Sequence, residues 1–173
     1  MVLSLVITVF ALAGAFADVR TRRIPNRLVL AGLVTALVVR AGWGVAPLWE
    51  GVAGGAVALL VGFPLFALGA FGAGDVKFLS VCGALVGLPL VGETILFSAA
   101  AGLFVAVAVV ARRRLPMVAA LRSWNLLVSA VTLGRAGGRM KLTDEGVITA
   151  PYGVAIAAGA LLVWFGAAGG LMP

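Results

Sequence analysis

A chain of 173 residues that is 63% hydrophobic and only 11% charged, with a mean hydropathy of +1.20, cannot dress itself in the mixed polar surface of a water-soluble domain. Its outer surface must face hydrocarbon, so the length is best counted in membrane helices of about 20 residues each. One cysteine, Cys82, and no histidine exclude an internal disulfide and any Cys/His zinc site, and no cofactor is implied.

Residues 1–17, MVLSLVITVFALAGAFA, carry no charged side chain and predict a first span. Ala15-Phe16-Ala17 resembles a signal-peptidase site, but Arg20, Arg22, Arg23 and Arg27 follow the apolar run, whereas a signal peptide carries its positive charge ahead of it. The expectation is an uncleaved helix with its N-terminus outside. After Ile24-Pro25-Asn26, where Asn26 suits an N-cap, a second span is expected over about 28–46, with Arg40 near its far end snorkelling to the headgroups. A third, over 51–71, carries Gly51 and Gly55 in a spacing that permits close helix packing.

The stretch 78–110 is too long for one span and short for two. Pro89, Gly92 and Glu93 predict a break there, with a short helix ending near Leu90 and a longer one from Glu93 to Ala111. Charge decides whether the short piece crosses. If it does, Arg20, Arg22, Arg23, Arg27, Lys77, Arg112, Arg113, Arg114, Arg122, Arg135, Arg139 and Lys141 all face the cytoplasm, leaving only Arg40 outside. If it does not, the arginine triplet falls on the wrong side. The reading is therefore an all-α membrane protein of about six spans, the last over 147–170, with both termini outside. The positive charge is then spent on membrane orientation and anionic lipid headgroups, and no aromatic-interleaved basic stripe points to nucleic acid. Between the fifth and sixth spans, Val118, Leu121, Trp124, Val128 and Val131 recur at helical spacing and predict an amphipathic helix in the cytoplasmic interface. With no repeat or linker, 1–173 reads as a single domain.

The six acidic residues sort by depth. Glu50 and Glu93 fall at outer boundaries, Asp144 and Glu145 in the interfacial segment. Asp18 closes the first helix and Asp75 lies between the third and fourth spans, so both sit at the cytoplasmic edge on different helices. An acid at membrane depth needs a reason. Singly, Asp75 can cap the short helix and Asp18 can pair with Arg22. Jointly, those explanations account neither for the shared depth nor for Gly72 and Gly74, which are able to take backbone angles other residues avoid and leave room for an approaching peptide. Two convergent carboxyls and a water are the minimum equipment of an aspartic protease: the pair shares a proton, the ionised member drawing a proton from water and the neutral one hydrogen-bonding the scissile carbonyl.

Three stretches, DVRTRRIPNRL (Asp18 to Leu28), GAGDVKFLS (Gly72 to Ser80) and PYGVAIAAG (Pro151 to Gly159), resemble the type IV prepilin peptidases, membrane aspartic proteases of the GxGD type. The likeness is closest to the short peptidase-only members of Tad (Flp-type) pilus systems. It implies removal of the basic leader of a prepilin or pseudopilin precursor at the cytoplasmic face of the inner membrane. Asp18 and Asp75 become the catalytic pair, Gly72, Gly74 and Lys77 the active-site loop, and Ile24, Pro25 and Asn26 a structural motif. The bifunctional members' cysteine-rich insertion has no counterpart here, so methylation of the new N-terminus is not expected. Asp144 and Glu145 are the spare acids able to attract a basic leader. Two other readings use the same acids differently: a small transporter or proton pathway, and a non-catalytic pilus-assembly subunit. A presenilin-like protease would place its first aspartate inside a helix as Tyr-Asp, whereas Asp18 follows Ala17.

Overall fold

A computed structural model of the chain describes residues 1–67, 71–112 and 152–169, and all regular structure among them is helical. The helices are α1 (Val2–Thr21), α2 (Asn26–Ala41), α3 (Val45–Ala67), α4 (Ala73–Val86), α5 (Leu88–Arg112) and α6 (Tyr152–Ala168). Among the described residues, three stretches are long and apolar enough to cross a membrane: Val2–Thr21, Val45–Ala67 and Leu88–Val105. The helices α2, α4 and α6 are shorter. The expected interfacial helix, with Asp144 and Glu145, lies outside the described residues.

Several boundaries differ from those expected, each for a local reason. The break between α4 and α5 falls at Gly87, not at Pro89 to Glu93. Gly87 takes φ +87°, an angle that costs glycine little, and α4 ends there with the Gly87 N–H on the Gly83 carbonyl. Pro89 then sits in the first turn of α5, where its missing N–H has no helical acceptor to lose. Pro25, not Asn26, caps α2, its carbonyl accepting from the amides of Leu28 and Val29. Asn26 is the first helical residue, which frees its side chain for another use.

The helix α1 shows how the chain sorts inside from outside. Leu3, Ile7, Phe10, Ala11 and Gly14 form a buried stripe at three- and four-residue spacing. Leu5, Val9, Leu12, Phe16 and Val19 form an exposed stripe that is just as apolar, as a lipid-facing surface requires. At the centre lies α4, with Val76, Phe78, Leu79 and the whole run Val81 to Val86 buried, Cys82 among them. At 14 residues it rises about 21 Å, less than the roughly 30 Å of a hydrocarbon core. Enclosure by its neighbours makes that length tolerable.

Close approach of α3 to α4 depends on absent side chains. A Cβ on Gly54 would meet the carbonyl oxygen of Gly83 and the backbone at Gly87 and Leu88, and one on Gly83 would lie 2.6 Å from the Gly54 carbonyl oxygen. Gly51 and Gly55, the spacing noted in the sequence, lie on the same contact, against Ala84. On the opposite side of α4, Phe78 packs 5.1 Å from Phe10, ring centre to ring centre, in space that Gly14 and Gly32 leave open.

The bundle has two chemically distinct ends. At one, Arg40 closes α2. It is only 4% exposed, so the expected snorkelling does not occur; the guanidinium instead donates to the carbonyls of Leu85 (2.9 Å) and Pro47 (3.0 Å) and lies 3.6 Å from the Glu50 carboxylate. Helix-end carbonyls inside the protein offer it better acceptors than distant headgroups do. At the other end lie the aspartates.

Candidate active site

Asp18 sits in the last turn of α1 and continues the buried stripe one turn beyond Gly14, at 6% exposed. The stripe alone therefore turns its carboxylate inward. Its Oδ2 accepts a hydrogen bond from the backbone N–H of Gly153 at 2.8 Å, at the start of α6, and the amide of Val154 interacts with the same carboxyl. Arg22 is near enough to act on it electrostatically, but the hydrogen bond to α6 is the buried one. Arg22 itself ends α1 in the left-handed conformation, φ 53° and ψ 26°, with its N–H on the Asp18 carbonyl. That turn sends the chain to Ile24-Pro25-Asn26.

Asp75 is the third residue of α4 and not its cap. Gly72 is the N-cap, and the Asp75 Oδ2 reaches back to accept the Gly72 N–H at 3.1 Å. Gly72 has φ −76° and ψ 151°, and Gly74 is helical, so neither uses the left-handed freedom that the sequence suggested. Space explains Gly72: a Cβ there would lie 3.0 Å from the Asp75 Oδ2. At Gly74 a Cβ would meet the buried Ile24 at an ordinary 3.6 Å, so space does not require glycine there, and Ile24 rests on the first turn of α4.

These elements bring the two acids within electrostatic range of each other. Tyr152, the first residue of α6, is also within range of Asp75, and its ring lies 5.4 Å from that of Phe71. Lys77, for which the sequence suggested only membrane anchoring, donates from Nζ to the Asn26 side-chain carbonyl at 3.2 Å. One sequence motif is thus tied to the other through Ile24 on Gly74 and Asn26 on Lys77. Among the described residues no third acid, cysteine or histidine joins the aspartates in a metal-ligating group. Two carboxyls within electrostatic range disfavour each other's ionisation.

Sequence reasoning did not place Tyr152, Gly153 or Phe71 at the site. The available signal was Pro151-Tyr152-Gly153 ahead of an apolar run, a helix start in which glycine is not a preferred former.

No curated protein and no solved structure matches the chain. The family model described as the type IV leader peptidase family matches residues 5–107. That is more than half of the chain, and the protein belongs to this family. The matched segment contains Asp18, Ile24, Pro25, Asn26, Gly72, Gly74, Asp75 and Lys77, and it ends before Tyr152 and Gly153.

Proposed function

We propose that this member of the type IV leader peptidase family is an aspartic endopeptidase that removes the basic leader of a prepilin or pseudopilin precursor, with Asp18 and Asp75 activating a water. The observation that carries the reading is the meeting of two acids from separate helices at one end of the bundle, within electrostatic range. Bringing like charges together under partial burial is unfavourable for a scaffold and useful for general acid and base chemistry. The ionised carboxyl takes a proton from the attacking water; the neutral one hydrogen-bonds the scissile carbonyl and later protonates the leaving amine.

Arg20, Arg22, Arg23, Arg27 and Lys77 cluster at or beside the aspartate end, with Arg40 at the other, which supports a cytoplasmic placement for the aspartates and outside placement for the N-terminus. A substrate cut there presents its leader to the cytoplasm and keeps its apolar helix in the bilayer. About six spans in the inner membrane, a single domain and peptidase activity without methylation complete the reading, with the short Tad-type members as the nearest likeness. Asp144 and Glu145 attract the basic leader; neutralising both should raise KM and leave kcat unchanged.

The test is Asp18→Asn and Asp75→Asn, each co-expressed with a prepilin precursor. Asparagine keeps the shape and still accepts a backbone N–H, but is no base. Leader removal should fall by about 10³-fold in each at normal membrane abundance. Normal processing by either variant rules the dyad out.

A further inference from the structure

We infer that Gly153 is a positioning residue for the cleavage: its backbone N–H fixes where the Asp18 carboxylate points, and its missing side chain lets the carboxylate reach that N–H. The inference rests on the dyad reading above and concerns a residue 135 positions from its partner in sequence, beyond the 5–107 family match.

The argument starts from α1. Its last turn presents unpaired carbonyls, and a carboxylate placed there is repelled by them. The start of α6 has the opposite character, since its first amides have no acceptor within their own helix. Placing Asp18 against Gly153 offsets both deficits with one contact of 2.8 Å. A side-chain donor would swing, whereas a helix amide holds one direction. The helix α6 is itself held against α1 at its far end, where the Trp164 indole N–H donates to the Ser4 hydroxyl at 3.1 Å. The donor is therefore registered to α1 at both ends of the bundle.

Space makes the second half of the case. A Cβ on Gly153 would lie 2.9 Å from both the Cβ and the Oδ2 of Asp18, closer than real side chains approach. Any other residue must push the carboxylate off the amide or α6 away from α1. Glycine here lowers the intrinsic helix propensity of the first turn, a local sacrifice that the carboxylate contact explains.

The experiment compares three forms of the full-length protein in bilayer nanodiscs with a purified prepilin precursor. Gly153→Ala adds the obstructing Cβ. Replacement of residue 153 by glycolate, an ester at that one backbone position, removes the N–H and adds no side chain. Gly159→Ala crowds Ser98 farther along the same helix and touches neither aspartate. The expected result is a kcat lower by roughly tenfold or more for the first two, with KM within about twofold. Gly159→Ala should lower the melting temperature and keep kcat per folded molecule within about twofold. If Gly153→Ala and the ester both keep more than half of the wild-type kcat, or Gly159→Ala loses as much kcat as they do, Gly153 has no positioning role. Should Gly153→Ala fail to insert, the ester decides. Asp18→Asn and Asp75→Asn run alongside: wild-type cleavage by these breaks the dyad reading, while their inactivity beside normal Gly153 variants breaks only the present inference.

Discussion

The two ends of the helix bundle each bury charge, and they do so by opposite rules. At the Arg40 end a single cation meets acceptors: the Leu85 carbonyl at the end of α4, the Pro47 carbonyl at the start of α3, and Glu50. Gly51 and Gly87 leave the slot it occupies, since a Cβ on either would collide with the side chain. The two carbonyls and the carboxylate it meets are of complementary polarity, as a structural clamp requires. At the other end two acids lie within electrostatic range, each held by a backbone amide, of Gly153 or of Gly72. Amides reduce the cost of the charges without removing their mutual repulsion. A buried charge given complementary partners serves stability, whereas a like-charged pair left in range is what the proposed chemistry requires.

That contrast breaks most visibly if substitutions at the two ends behave alike. The largest expected effect is on catalysis: Asp18→Asn or Asp75→Asn should lose cleavage by about 10³-fold while thermal stability in detergent holds or rises, because repulsion is relieved. Arg40→Met should do the reverse, costing about 3 kcal/mol in a denaturation series while kcat per folded molecule stays within about twofold. A joint loss of stability and activity in both sets would make the two ends one structural unit. Gly83→Ala should cost about 1 to 3 kcal/mol, its Cβ meeting the Gly54 carbonyl and Ala58, and should lower melting temperature more than catalysis. The smallest effect belongs to Lys77→Met. Its hydrogen bond to Asn26 is exposed, and its loss should cost less than about 1 kcal/mol, read as a slight drop in melting temperature.

Much of this architecture was legible because membrane proteins announce their charges. The distribution of arginines and the position of Asp18 and Asp75 at the ends of apolar runs put both acids at one end before any contact was known. Burial was not legible, for a reason visible in α1: its inward stripe of Leu3, Ile7 and Phe10 and its outward stripe of Leu5, Val9 and Leu12 are equally apolar, so periodicity carries no contrast. The fate of Arg40 was hidden similarly, because a snorkelling arginine and an inward one share the same helix end in sequence. Asp75 as a cap and Gly72 and Gly74 as strained positions were reasonable from residue type, but the cap moved three residues upstream, and at Gly72 space replaced strain. Gly153 escaped because its contribution is an N–H, which every residue but proline possesses. Only its missing Cβ is written in the sequence: the stretch Pro151 to Gly159 stood out as a motif, but nothing in it said which glycine meets Asp18.

Enclosure of α4 has a practical consequence. Cys82, its sole thiol, is fully buried and touches neither aspartate among the contacts described. A maleimide added to the intact protein should react only when the centre of the bundle opens, so the labelling rate reports that opening without an engineered probe. The molecule carries its own stopwatch for unfolding in a native bilayer, where melting curves are hardest to obtain. Started in the wild type and in each variant above, it separates a stalled reaction from a loosened fold.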